Sequence, residues 1–151
     1  MKTLILYVSY HHHNTEKVSQ VMAEELGAGL VPVSEAQPDV ATGHDIIGFG
    51  SGIYGMKFHK TLIEFVEALP AAAEQQAFVF STSGRGGTKH HAAFKELLEN
   101  RGFSIVGEFS CKGWDTVGPL RLVGGINKGR PNENDLEEAR AFARGLREER
   151  T

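Results

Sequence analysis

Ser9, His11, His12, His13, Asn14, Thr15 and Glu16 crowd hydroxyl, imidazole and amide groups into one short polar stretch, the chemistry of a pocket for an anion. The stretch follows Leu4-Ile5-Leu6-Tyr7-Val8, an apolar, β-prone run of the kind that is buried on both faces of a parallel sheet. Beyond it Val18, Val21, Met22 and Leu26 recur at helical spacing, and Gly27 stands where a left-handed C-cap belongs. The first turn of such a helix aims unpaired N–H groups and the positive end of its dipole back at the polar stretch, so a phosphate dianion fits there. The simpler reading makes Asn14 or Thr15 an N-cap on a solvated loop.

Two further segments repeat the arrangement. Asp45-Ile46-Ile47-Gly48-Phe49 predicts a second buried strand that runs into Gly50-Ser51-Gly52-Ile53-Tyr54-Gly55. A helix then follows, with Phe58, Leu62, Phe65, Val66 and Leu69 on its core face and Pro70 at its end. Ala77-Phe78-Val79-Phe80 predicts a third strand, Ser81 to Thr88 its loop, and Phe94, Leu97 and Leu98 the face of the next helix. Short strands are expected at Leu30 to Val33, near a sheet edge because of Pro32, and at Phe103 to Phe109. A last helix is expected after Pro131 and Asn132, with Leu136, Ala139, Phe142, Ala143 and Leu146 inward and a solvated Glu/Arg face outward. Alternating strands and helices imply a parallel, doubly wound α/β sheet with right-handed crossovers, whose ligand lies beyond the carboxyl ends of the strands.

At 151 residues and 40% hydrophobic the chain suits one domain, 1–151, with a core that needs no disulfide or metal. A single cysteine, Cys111, permits no internal disulfide. With no signal-like or membrane-spanning stretch, a cytoplasmic setting is expected. Cys111 is placed just past the last strand as a buried structural thiol. The segment from Cys111 to Pro131 is long for a loop; Leu120, Leu122, Val123 and Ile126 suggest a hairpin or Ω-loop turning at Gly124-Gly125. Trp114 either pins this segment to the core or covers a ligand.

Three strand-end loops, of which the first closes in Asn14-Thr15-Glu16, resemble a flavodoxin through nearly the whole chain. The resemblance implies a five-stranded parallel sheet in the order 2-1-3-4-5 within a three-layer αβα sandwich. It also implies FMN as cofactor. On it, Ser9, Asn14 and Thr15 match the ends of the family's phosphate loop, with His11, His12 and His13 in place of its middle. Ser51, Gly52, Ile53, Tyr54 and Gly55 correspond to the segment flanking the flavin, with Tyr54 as the stacking ring. Thr82, Ser83, Gly84 and Gly87 correspond to the segment at the pyrimidine edge, and Trp114 is a candidate cover for the second face. The implied activity is electron transfer between partner redox proteins by a monomer or weak dimer, with no catalytic acid, base or nucleophile. No partnership with nucleic acid or membrane is expected.

Other readings of the same residues remain. The histidine triplet could hold a metal, but neighbouring side chains on an extended loop point apart, and no metal is expected. Gly50-x-Gly52-x-x-Gly55 has the form of a dinucleotide fingerprint, yet the next strand ends in Ser81 where an acidic ribose anchor belongs. A phosphorelay receiver would need an aspartate where the chain has Gly50. An FMN-dependent NAD(P)H:quinone reductase and a flavin-free binding module are the alternative functions. Charge adds an independent expectation. The ligand-edge stretches 51–60, 83–91 and 111–131 carry Lys57, Lys60, Arg85, Lys89, Lys112, Arg121, Lys128 and Arg130 against Asp115 alone, in a chain of net charge -3. A partner with an acidic docking surface, or an anionic small molecule, would be drawn to that edge.

Overall fold

The computed structural model describes residues 1–10, 12–115 and 124–149. Its elements follow the chain as β1 (Thr3–Val8), α1 (Asn14–Leu26), β2 (Gly29–Pro32), β3 (Ile46–Tyr54), β4 (Lys57–Phe58), α2 (Lys60–Glu67), β5 (Gln76–Ser83), α3 (Ala92–Asn100), β6 (Ser104–Lys112) and α4 (Glu133–Glu148). Five strands pair in parallel in the order β2-β1-β3-β5-β6, while the two-residue β4 folds back antiparallel on β3. Without β4, this is the expected 2-1-3-4-5 order. Both faces of the sheet are covered. Leu6, Ile47, Phe49 and Val79 meet α2 and α3 through Leu62, Phe94 and Leu98. Ile5, Phe78 and Phe80 meet α1 and α4 through Val18, Met22 and Ala143.

Two glycines set the fit of the central strands. Gly48 and Gly50 of β3 stand beside Phe78 and Phe80 of β5. A Cβ on Gly48 would lie 2.3 Å from the Phe78 ring, and one on Gly50 2.2 Å from the Phe80 ring. The bare backbone lets each phenyl lie flat across the neighbouring strand, which places Gly50 and Gly52 inside a strand and not in a phosphate-binding turn.

Several sequence expectations are corrected here. Gly50 to Tyr54 is not a loop, because β3 runs through it to a two-residue turn at Gly55 and Met56. Both turn residues have positive φ, 56° and 66°, as a tight right-twisted hairpin requires. Phe58 therefore enters the core from the hairpin, not from α2. Strand β6 extends past the expected end at Phe109, so Cys111 sits within it. The N-cap of α1 is neither Asn14 nor Thr15 but His13, with no side-chain cap bond; the Ser9 hydroxyl instead accepts the Glu16 N–H at 3.1 Å. Gly27 is the left-handed C-cap, and Asn132 opens α4 in a reciprocal capping box with Asp135. Leu120, Leu122 and Val123 lie outside the described residues.

Candidate functional site

A cleft of about 570 Å³ opens at the carboxyl ends of β1, β3, β5 and β6, within the range of small-molecule sites. Each strand end contributes: Tyr10 after β1, Gly52 to Tyr54 from β3, Thr82 to Gly84 from β5, and Gly113 to Asp115 after β6. Thr15, from the first turn of α1, is buried and shares a 2.8 Å hydrogen bond with the Thr82 hydroxyl. That bond ties the first segment to the third under the cleft floor. The Tyr54 ring lies over Gly52, where a Cβ would be 3.0 Å from it. Burial pushes the Tyr54 hydroxyl above its usual range, while a hydrogen bond from the Tyr10 backbone N–H works against this.

Asn14 has the most informative environment. Its amide nitrogen donates to the Trp114 carbonyl at 2.9 Å, which fixes the orientation of the amide group. The other atom, Oδ1, is buried and has no partner among the described residues. Gly113 makes room for this side chain, since a Cβ there would lie 2.5 Å from Asn14 Nδ2. An unsatisfied buried acceptor on a cleft wall costs about 1–3 kcal/mol unless something donates to it. It therefore fits a ligand hydroxyl rather than a phosphate oxygen.

Trp114 joins the first segment to the last. The His12 ring stacks on it at 3.6 Å and 20°, its indole N–H donates to the Gly124 carbonyl at 3.0 Å, and the Lys128 ammonium stands 5.6 Å from its ring. His12 and His13 both take left-handed backbone angles, φ 60° and 57°, a conformation costing about 1–3 kcal/mol per non-glycine residue and concentrated at ligand sites. His13 turns outward, its Nδ1 2.8 Å from Glu16 Oε2.

Of the residues singled out from sequence, the structure gathers Asn14, Thr15, Gly52, Ile53, Tyr54, Thr82, Ser83, Gly84 and Trp114 around the cleft. Ser9, His12, His13, Ser51, Gly55 and Gly87 are not among its lining, and His11 lies outside the described residues. Ser51 is a buried strut, with its hydroxyl donating to the Gly52 carbonyl at 2.6 Å and accepting the His59 N–H at 2.9 Å. Tyr10, within the polar stretch read as the phosphate site, stands on the rim; sequence reading missed Met56, Gly113 and Ile126 there, and His90 beside Arg85 and Lys89. Gly113 is buried and nothing in the sequence marks it; Met56 and Ile126 stand out only by their exposure in the fold. Tyr10, Met56 and Ile126 are apolar side chains left in solvent. Two of the counted cations are spent elsewhere: Arg130 pairs with the buried carboxylate of Asp135 at 2.5 and 2.6 Å, and Lys60 with Glu64 at 3.7 Å. Arg121 lies outside the described residues. Burial pushes the Asp135 carboxyl up, but the hydrogen bonds from Arg130 and the Asn132 N–H outweigh it and hold the group low. Burial pushes the Cys111 thiol up to about 12, the state of an inert structural cysteine.

A doubly wound parallel sheet with four strand-end segments converging on one cleft defines a flavodoxin-like protein. The flavodoxin domain model matches residues 4–110, and the chain belongs to that family. It is 43% identical over 148 residues to an uncharacterised protein of Methanocaldococcus jannaschii, covering 97% of this chain and 98% of the relative. Among solved structures, oxidised flavodoxin 2 of Bacillus cereus superposes with a TM-score of 0.71 at 19% identity over 99% of each chain. A flavodoxin from the domain Archaea gives 0.68 at 14% identity, over 99% of this chain and 98% of its own. Family membership implies a flavin cofactor. The cleft fits one: the first turn of α1 for an anionic tail, the orphaned Asn14 Oδ1 for a hydroxyl, and Tyr54 for a planar ring. Among the described residues no helix is long and apolar enough to cross a membrane.

Proposed function

We propose that the protein binds FMN non-covalently and, as a single domain spanning residues 1–151, carries electrons between redox proteins of the cytoplasm as a monomer or weak dimer. The unpartnered Asn14 Oδ1 carries the reading, because it gives the cleft a specific demand for a hydroxyl donor between an anion site and an aromatic floor. In this reading the start of α1 at Asn14 and Thr15 holds the phosphate, the Glu16 N–H being taken by Ser9, and Thr15 is supported by its bond to Thr82. Asn14 accepts from the sugar-alcohol chain, Tyr54 stacks on the ring, and the backbone from Gly84 to Gly86 meets its polar edge. Bound FMN would supply the redox chemistry, and the protein positions it and excludes water. No side chain is required as a general acid or base.

The rim selects the partner. Arg85 and Lys89 line the cleft with His90, Asp115 lies against Gly84 beside them, and Tyr10, Met56 and Ile126 add apolar surface to the rim. A partner with carboxylates around an apolar centre fits this rim. The same cations could instead hold the phosphates of a nicotinamide nucleotide, the reductase reading. An absorption spectrum of the protein as purified, followed by parallel FMN and riboflavin titrations, tests the cofactor; failure to bind either refutes the proposal. Rapid bleaching by NADPH without an added reductase would favour the reductase.

A further inference from the structure

His91, just ahead of α3, is wholly buried. Its Nε2 lies 2.6 Å from the Ser81 hydroxyl of β5, and its Nδ1 lies 3.1 Å from Glu108 Oε1 of β6. The other carboxylate oxygen of Glu108 receives the Lys95 ammonium at 2.5 Å, and the Phe58 ring stands edge-on to the imidazole at 5.2 Å. A carboxylate only accepts, so Nδ1 carries the proton and Nε2 accepts from Ser81. The order serine, histidine, carboxylate is that of a hydrolytic triad. Here, however, Ser81 is wholly buried and does not line the cleft, so no substrate reaches its oxygen. The constellation instead fastens the far end of the segment 84–90, which brings Gly84, Arg85, Gly86, Lys89 and His90 to the cleft.

We infer that His91 is a positioning residue for the cleft: neutral, it clamps the segment 84–90 to β5 and β6, and its protonation releases that segment and weakens flavin binding. The second half rests on the flavin reading above; the first does not. A proton on Nε2 would turn the Ser81 hydroxyl round to accept, leaving its own O–H without an acceptor among the described residues and a charged imidazole in a site with no solvent near. The groups facing His91 are Glu108 from β6, Lys95 from α3, the adjacent His90, Ser81 from β5 and Phe58 from β4. Burial holds the imidazole below its usual range, against the pull of Glu108. The sign follows. The clamp is at full strength above the ordinary histidine range, near about 6.5, and is lost as pH falls below it.

Amide hydrogen exchange over residues 84–90 in the flavin-free protein between pH 5 and 8, corrected for intrinsic exchange, tests the clamp. Protection of this segment should fall on the acid side, while β1 stays protected. Glu108→Gln keeps an acceptor but removes the anion that favours a charged imidazole in the clamped state, so the acid-side loss should continue to lower pH before it levels off. Lys95→Met removes an opposing cation and should make the loss level off at higher pH. His91→Gln should abolish the pH dependence; should that variant not fold, the two opposite shifts decide alone. Shifts of the same sign, or a segment whose protection does not change with pH, would overturn the clamp. Riboflavin, which has no phosphate to titrate, tests the second half: its affinity should fall by up to tenfold per pH unit below the same onset. Release of the segment with unchanged riboflavin affinity would overturn that half, whereas no flavin binding at any pH would refute the cofactor reading and leave the exchange result standing.

Discussion

Gly113→Ala isolates what Asn14 does. The backbone of Gly113 lies outside the left-handed region, so alanine meets no conformational strain there and its effect is steric. The new Cβ would stand 2.5 Å from Asn14 Nδ2 and 2.8 Å from its Cγ, against a comfortable separation of about 3.5–4.0 Å. Asn14 must retreat by about 1 Å, which takes its 2.9 Å bond to the Trp114 carbonyl beyond hydrogen-bonding reach. Losing that bond costs about 0.5–1.5 kcal/mol of stability. A loss of about 1 kcal/mol at the ligand, from moving Oδ1 off the hydroxyl it accepts from, is about fivefold in Kd. Fluorescence titrations with FMN and riboflavin, run beside a thermal melt, read both effects. The two flavins should weaken by the same factor, since both carry the hydroxyl chain. In the double variant Gly113→Ala with Asn14→Ala the second change should add little, because the first has already displaced the side chain. A variant in which FMN weakens and riboflavin does not would show that Asn14 serves the phosphate, and one in which neither changes would remove it from the site.

Other outcomes follow from the same geometry. Gly50→Ala sets a Cβ 2.2 Å from the Phe80 ring and should destabilise the fold by at least the ~1–3 kcal/mol typical of overpacking, with partial recovery by Phe80→Leu in the same chain; urea denaturation of the three variants checks it. Arg85→Glu with Lys89→Glu should lower the midpoint potential of bound flavin by tens of millivolts, as reduction adds negative charge beside reversed cations, and the shift should shrink as salt rises. A potential unmoved by the reversal would show that both side chains turn away from the ring. Cys111, buried with its thiol pushed up to about 12, should resist alkylation at pH 8 in the folded protein and react once it is unfolded. Rapid folded-state labelling would contradict its burial.

The fold was legible wherever burial imposes a period on the sequence. Leu4 to Val8 and Ala77 to Phe80 are unbroken apolar runs because helices cover both faces of the sheet. The inward stripe of α4 shows through its charged face for the same reason. Glycine hid the rest. Gly50 and Gly52 look like a turn, and what makes them strand is Phe80 and Tyr54, whose rings need the space that a side chain would take. Nothing local distinguishes a glycine that bends the chain from one that yields to a ring 30 residues away. His91 hid differently. It shares the helical spacing of Phe94 and Leu98, a signal that it faces inward, but only the meeting of β5 and β6 supplies the Ser81 and Glu108 that make a buried imidazole tolerable.

Charge shows where counting along a chain reaches its limit. The ligand-edge stretches carry eight cations against one acid, but Asp135 and Glu64, which neutralise Arg130 and Lys60, fall just outside those stretches. Lys128 leans on the Trp114 ring. Arg85 and Lys89 remain on the cleft wall, both exposed, on the segment that His91 fastens. The cations best placed to meet a partner's carboxylates are therefore carried by the part of the cleft whose anchoring depends on a neutral histidine. On the proposed reading, partner attraction and ligand retention would be coupled through one short segment, and acid that loosened its hold on the flavin would also scatter the charge that draws the partner in.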